Sequence, residues 1–447
     1  MKLTVIGAGS TYTPGLILRW LDTKRERIKI DEVCLHDIDQ ERLGVVGGFI
    51  EKMLSGEAPE VRFCCTADLA EAIRGSDFVV LQIRVGLNTQ RKTDEHICVE
   101  HGFLGQETTG PAGWALSLRQ IPQCLDVARL VDELAPDAWL ISVANPAGVV
   151  AEALIKYGHN KTIGMCHGGF FPRTRLAGAL GVDESRVQFD YIGLNHLGWT
   201  TKVFVDGELL STRQMQDMAT KIYEGWNKTE LSLPASFGKC FCPPVALSHY
   251  LSDYYVQDEL VDQMRRAGVT RGDEVLVIEK ECLDYYREKA GKEVLPPPVL
   301  ASRGGKQEQK RRGEYGAVGY SDGCLAIIDA LLHPEPQWII VNVLNEGAIR
   351  DLPDDAAVEI PAYVNDTGVS RIIAGELPIE IRGQIQSVKA YETMTVQAAI
   401  SGDRRIALTA LLSNPICQGK YQQTKSLMDA LLESSRNYLP LFFGEAT

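Results

Sequence analysis

The sequence predicts an α/β fold, a doubly wound sheet domain over residues 1–165 followed by an α+β domain over residues 166–447. Three observations lead there. The first 165 residues alternate short apolar runs with helix-like segments, and a glycine-rich turn follows the first run. Beyond Cys166 the pattern changes to alternating, antiparallel-type segments and long helical stretches. Uninterrupted apolar strands separated by helices are the mark of a parallel sheet covered on both faces.

Taken in order, Leu3 to Ile6 is the first apolar run, and the turn Gly7-Ala8-Gly9-Ser10 follows it. Thr13-Pro14 reads as a helix start, Thr as N-cap and Pro at the first helical position, with Leu16, Trp20 and Leu21 as the apolar stripe. Glu32 to Asp37 reads as a second strand ending in an acid. Phe78–Ile83, Trp139–Val143 and Thr162–Met165 are further buried strands. Past Cys166, Val187 to Gly207 predicts antiparallel strands around an Asp206-Gly207 turn. Ser248 to Arg266 and Ala390 to Leu412 read as helices, while Pro296-Pro297-Pro298 and Arg303 to Gly313 read as loop or crossover.

Composition bounds the function. The net charge of -13 argues against a nucleic-acid partner, which usually meets a basic face. No stretch reaches the roughly 18 apolar residues of a membrane span, and no cleavage site follows the N-terminal run. A cytoplasmic protein is expected. Eleven cysteines at irregular positions do not form a disulfide framework, so most are expected reduced and buried. The Cys240-Phe241-Cys242 pair has no further Cys/His pair at metal spacing, which favours a structural reading.

The glycine turn sits between a strand and a helix, the context of a dinucleotide (Rossmann-type) fingerprint. There glycines let the backbone approach a pyrophosphate and the helix start favours its charge. Tyr12 stands where the third glycine is usual. Asp37, at the end of the next strand, is placed to accept from an adenosine ribose, which favours NAD over NADP. Cys166 ends a strand at the carboxyl edge, and His196 follows in Gly193-Leu194-Asn195-His196. A thiolate and an imidazole are half a shell for a divalent metal with open positions; a buried thiol and a satisfied histidine are the alternative. Arg84, Arg91, Glu107, Asn145 and Arg271 border apolar segments and read equally as surface groups or caps. Tyr250, Tyr254 and Tyr255 cluster at helical spacing, where aromatics are usually core.

These segments together resemble glycoside hydrolase family 4, the NAD- and metal-dependent glycosidases. The resemblance runs through Ile6-Gly-Ala-Gly-Ser-Thr-Tyr-Thr-Pro-Gly15, Arg84-Val-Gly, Gly105-Gln-Glu-Thr-Thr-Gly-Pro111, Ala144-Asn-Pro-Ala147 and Gly193-Leu-Asn-His-Leu-Gly-Trp199. It continues through Thr270-Arg-Gly-Asp-Glu-Val275, Asn342-Val-Leu-Asn-Glu-Gly-Ala-Ile349 and Leu352-Pro353. It implies a lactate/malate dehydrogenase-like nucleotide domain and a second domain for metal, substrate and subunit contacts. It also implies glycoside cleavage through NAD oxidation at C3, loss of the C2 proton, elimination, water addition and re-reduction, outside two-carboxylate hydrolysis.

On this resemblance Gly7, Gly9, Ser10, Thr11 and Asp37 contact NAD. Cys166 and His196 hold the metal, Mn2+ first and other divalent ions possible; because thiolate is not a preferred Mn2+ ligand, binding should be weak and sensitive to oxidation. Tyr250, the first residue of Tyr-Leu-Ser-Asp-Tyr-Tyr, matches the family's base, and Glu107 an active-site acid that positions cofactor or substrate. Arg91, Asn145 and Arg271 match phosphate and sugar contacts of 6-phosphoglucoside-cleaving members, guanidinium forks being suited to a phosphate dianion. Cys166-His167-Gly168-Gly169 departs from those members toward ones acting on unphosphorylated α-glycosides or uronides; His167 is a general acid for the departing oxygen or a shaper of the pocket.

The expectation is a 6-phospho-β-glucosidase acting on a small-molecule phosphoglycoside as a homodimer or homotetramer. A 6-phospho-α-glucosidase and an unphosphorylated α-glycosidase or uronidase are the alternatives within the family. An NAD-dependent 2-hydroxyacid-type dehydrogenase is the rival class, and it leaves Cys166 with His196 unexplained.

Overall fold

The structure is a computed structural model that describes residues 1–224, 254–288 and 318–444. Cys240, Cys242, Tyr250, the Pro296–Pro298 run and the Arg303–Gly313 stretch lie outside the described residues. Strands β1 (Lys2–Ile6), β2 (Glu32–His36), β3 (Arg62–Thr66), β4 (Phe78–Leu81), β5 (Trp139–Ser142) and β6 (Thr162–Gly164) are parallel and lie in the order β3-β2-β1-β4-β5-β6. That order, reversing direction beside β1, is the doubly wound nucleotide-binding arrangement. The sheet continues past β6 with β10 (Gln337–Leu344), β11 (Ala357–Asn365) and β12 (Gly368–Arg371), all antiparallel.

Apolar runs become central strands here because both faces are covered. Val33, Leu35, Val80 and Ile141 enter one core, while Cys34, Val79, Leu81 and Leu140, which alternate with them, enter the other. The edge strand β3 is half exposed and its residues Arg62-Phe63-Cys64-Cys65-Thr66 carry no such run, so it escaped the sequence reading. A separate antiparallel sheet holds β7 (Val187–Leu194), β8 (Leu197–Val205) and β9 (Glu208–Leu209), as the alternation after Cys166 predicts. Asp206 (φ +52°) and Gly207 (φ +82°) form the expected tight turn between β8 and β9.

The helices depart from expectation at three places. Helix α1 (Thr13–Arg19) begins at Thr13, but Thr13 is not its cap. The Thr13 hydroxyl is buried; it donates to the Ala8 carbonyl at 2.8 Å and accepts from Gln82 at 2.7 Å, which ties helix start, glycine turn and the end of β4 together. The Ala390–Leu412 stretch is two helices, Ile379–Ser401 and Arg404–Ser413, because Gly402 adopts φ +68° and Asp403 caps the second with its side chain. The helix expected at Ser248–Arg266 runs, within the described residues, from Gln257 to Ala267 and stops at Gly268 (φ +66°).

Two further helices matter for the site. Helix α2 (Leu87–Glu100) follows β4, and helix α3 (Gly110–Leu134) crosses behind it. They are joined by a fully buried ion pair, Asp94 to Arg119 at 2.7 Å, and Arg119 also donates to Ser435 at 2.9 Å. No helix among the described residues is long and apolar enough to cross a membrane. Asp94→Ala would strand the Arg119 charge in the interior, at a cost of roughly 3–5 kcal/mol. A fall of the urea midpoint with unchanged slope is the expected result, and an unchanged midpoint would contradict this role.

Candidate active site

Parallel strands all end on one edge, so the loops leaving β6, β5, β4, β1 and β2 lie side by side in that order. They carry Cys166, Asn145, Arg84, the Gly7–Thr11 turn and Asp37 respectively. In open α/β sheets this edge is where ligands bind.

At one end, the Gly7 and Ala8 amides both donate to the His36 carbonyl at 2.9 Å, folding the turn back onto β2. Gly7 has φ +84°, and a Cβ there would stand 2.9 Å from the Ile83 amide nitrogen, so the turn needs glycine both for its angle and for its contact with β4. The Asp37 carboxylate accepts from the Gly9 amide at 2.8 Å and from the Asp39 amide at 2.9 Å. A carboxylate offers about four acceptor positions, so room remains for the two hydroxyls of a ribose. Ser10 closes the turn, its amide on the Gly7 carbonyl at 3.2 Å and its hydroxyl accepting from the Tyr12 amide at 3.3 Å. Tyr286 donates to the Thr11 carbonyl at 2.8 Å, so helix α4 (Arg271–Glu288) packs against the turn.

The middle of the row is a charge cluster. Glu107, on the loop before α3, receives Arg84 on one oxygen at 2.6 Å and Arg91, from α2, on the other at 3.0 Å. Burial pushes its carboxyl up, but Arg84, Arg91 and the nearby His196 outweigh burial and hold it down at about 2. Arg91 also meets Glu95 one turn along at 2.7 Å. The second oxygen of the fully buried Glu95 accepts from the Gly272 amide at 2.6 Å. Arg271 thereby starts its helix beside Arg91, and it turns back to pair with Glu274. Asn145 is held from behind, its carbonyl accepting from Gln120 at 2.6 Å.

At the far end, the buried Cys166 thiol lies 3.7 Å from His196 Nε2. Two ligands of one divalent ion stand about this far apart, roughly 3.6 Å for zinc-type bond lengths at a tetrahedral angle. His196 sits at the tip of the β7–β8 hairpin with φ +59°, an angle an L-residue holds only when its surroundings fix it. Among the described residues no group of three His, Cys, Asp or Glu side chains gathers as a metal cluster. A thiol and an imidazole at this separation suit a single divalent ion. His167 packs its ring on Tyr320, centroids 4.7 Å apart, and edge-on to Phe171 at 5.7 Å. Tyr320 in turn approaches Tyr12 at 6.1 Å.

Several contributors escaped sequence reasoning. Arg42 donates to the Gly9 carbonyl at 3.3 Å and pairs with Glu279 at 2.6 Å, while Asn88 donates to the same Glu279 at 2.9 Å. This links the turn, α2 and α4. Glu95 was legible in principle as the i+4 acid to Arg91. Arg42 and Glu279 are far apart in sequence and carried no local signal.

The chain matches the model of family 4 glycosyl hydrolases over residues 2–182 and that of the family's C-terminal domain over residues 191–417. It is 33% identical to a probable 6-phospho-β-glucosidase of Bacillus subtilis (strain 168), covering 100% of this chain and 98% of that one. The chain belongs to glycoside hydrolase family 4. Among solved members, a 6-phospho-β-glucosidase of Thermotoga maritima with manganese, NAD+ and glucose-6-phosphate superimposes with a TM-score of 0.82 at 29% identity, covering 98% of this chain and 99% of that one. A 6-phospho-α-glucosidase from gut microorganisms with NAD and Mn2+ gives a TM-score of 0.83 at 27% identity over the same shares. The family's relatives near this chain thus include both anomeric types.

The depressed titration of Glu107 has a measurable sign. Its stabilisation is fully present above the ordinary value of 4.5 and is lost as pH falls through about 2. The unfolding free-energy difference between wild type and Glu107→Gln should narrow by on the order of 3 kcal/mol across that window. Urea titrations at several acidic pH values measure it, and a constant difference would contradict the assignment.

Proposed function

We propose that the chain is a cytoplasmic 6-phospho-glucosidase, of the β type, acting on small phosphoglycosides as a homodimer or homotetramer. The observation that carries this reading is the continuity of the row: Glu95 joins Arg91 to the start of the Arg271 helix, and Glu107 joins Arg91 and Arg84 to the neighbourhood of His196 and Cys166. Two guanidinium positions for a phosphate dianion therefore adjoin a thiol–imidazole pair and a dinucleotide turn. Family membership and relatives that act on 6-phosphoglucosides support it. The β assignment rests on the Gly7–Gly15 turn and on the β-acting relatives.

NAD, held by Gly7, Gly9, Ser10, Thr11 and Asp37, would supply reversible hydride chemistry at C3, and a divalent ion, Mn2+ first, held by Cys166 and His196, would supply Lewis acidity toward the neighbouring sugar oxygens. With C3 at the ketone level the C2 proton is acidified. Tyr250, which lies outside the described residues, would remove it, so that the C1 oxygen can depart and water can add. A phenol near ~10 in reference pKa needs a neighbouring cation for this task. Arg91, Asn145 and Arg271 orient the phosphorylated sugar, Glu107 keeps Arg84 and Arg91 fixed, and His167, backed by Tyr320 and Phe171, flanks the departing oxygen.

The test is cleavage of p-nitrophenyl α- and β-glucosides, each with and without a 6-phosphate, by reduced protein supplied with NAD+ and Mn2+. Release from the 6-phospho-β compound alone, lost when either cofactor is withheld, is expected. Release from the 6-phospho-α compound alone would reassign the anomer, and release only from a plain α-glucoside would show that the His167 departure marks the substrate class. Arg271→Ala should raise the dissociation constant of glucose-6-phosphate about 10-fold or more while leaving that of NAD unchanged; equal losses, or none, would overturn the phosphate role. Tyr250→Phe should abolish exchange of the C2 proton with solvent deuterium, read by NMR, without weakening NAD binding.

A further inference from the structure

Behind the Cys166–His196 pair lies a buried carboxylate that the proposed reaction does not use. Glu359, on β11, is 2% exposed. One oxygen accepts from the Tyr191 hydroxyl at 2.8 Å; the other accepts from the Asn195 side-chain amide at 2.8 Å and from the Asn342 side-chain amide at 3.2 Å. All three donors are neutral. The nearby buried cation, Lys389, is engaged elsewhere, with Glu152 at 2.9 Å and Glu392 at 2.6 Å. A buried carboxylate met only by neutral donors is an expensive way to fill a core, since an apolar side chain of similar volume is often as stable or more so. Its partners suggest what it does.

Each donor belongs to a segment that carries one half of the pair. Tyr191 is in β7, and Asn195 is the residue before His196 in the hairpin tip. Asn342, on β10, stands in register with Gly164 of β6 and reaches the Gly164 carbonyl at 3.5 Å. Gly164 lies two residues before Cys166. One side chain therefore grips both supports, the hairpin that presents the imidazole and the strand end that presents the thiol. The backbone has been cleared for it: a Cβ on Gly198 would fall 1.7 Å from the Tyr191 hydroxyl oxygen. His196 needs such a grip, because its φ of +59° lies in the left-handed region, where a residue with a Cβ persists when the surrounding structure holds it.

We infer that Glu359 is a positioning residue for the metal pair: through Asn195 and Tyr191 on one side and Asn342 on the other, it sets the distance and orientation between the His196 imidazole and the Cys166 thiol. This rests on the proposed reading of that pair as metal ligands. Partners that orient ligands from behind typically change metal affinity 10- to 100-fold when lost. Glu359→Ala removes both acceptor oxygens, so the hairpin and the end of β6 lose their shared anchor together.

Mn2+ titrated into reduced, NAD-loaded protein, with free Mn2+ followed by its electron paramagnetic resonance signal, tests this without reference to turnover. Glu359→Ala and Asn195→Ala should each raise the Mn2+ dissociation constant roughly 10- to 100-fold. Because Asn195 acts through its bond to Glu359, the double variant should bind no more weakly than Glu359→Ala alone. Asp329→Asn, which loosens the distant ion pairs to Lys24 and Arg27, should lower the melting temperature yet keep wild-type affinity. Wild-type Mn2+ affinity in Glu359→Ala, whatever its melting temperature, would overturn the inference, as would losses that multiply in the double variant. Should Glu359→Ala fail to fold, Asn195→Ala alone decides by the same criterion. Affinity unaltered by Cys166→Ser would remove the metal pair itself, and the inference with it, which distinguishes that failure from the others.

Discussion

Parallel pairing is the constraint from which the rest follows. Strands that run the same way must all end on the same edge, and each needs a crossover to return, so six successive loops emerge side by side along β3 to β6. Along that edge stand a backbone turn built on glycine at one end and the Cys166 thiol at the other. The side chains in between need no long reach. Their separations are set by the spacing between neighbouring strands, about 4.8 Å, so a ligand as long as a dinucleotide joined to a sugar can be contacted along its whole length by residues of one rigid sheet.

Rigidity at the edge is obtained with carboxylates. Glu107 fixes Arg84 and Arg91, Glu95 fixes Arg91 and the start of α4, and Glu279 fixes Arg42 against the glycine turn. Each acid takes two partners from different segments, and so joins as well as neutralises. A chain of net charge -13 thus keeps a local cluster of guanidinium groups at this edge, each held by an acid from a neighbouring segment.

The central strands and the glycine turn were legible because burial on both faces writes a continuous apolar run that no other element of that length shows. The residues that come together along the edge were legible for a related reason, since each sits where such a run stops. Thr13 misled because its local setting, Thr before Pro, is that of a cap, whereas its hydroxyl is claimed by Ala8 and Gln82 from outside the helix. Strand β3 was silent because it lies at the edge with half its residues in water. Strands β10 to β12 join β6 from more than 170 residues away in antiparallel pairing, and no local period states which edge a strand will join.

That last addition changes what the sheet can do. A doubly wound domain that stopped at β6 would leave the thiol loop on an open edge, exposed to water on one side and free to shift. Antiparallel β10 and β11 cover that edge, and their inward side chains, Asn342 and Glu359, are polar at positions where the core would otherwise be apolar. Placing polar groups there sacrifices packing energy, and it brings the β7–β8 hairpin, a piece of a separate sheet, into hydrogen-bonded contact with the parallel sheet at the one point where Cys166 and His196 meet. The apolar stripes of β10 and β11 make them strands; the two polar residues that interrupt those stripes make the covered edge a support for chemistry.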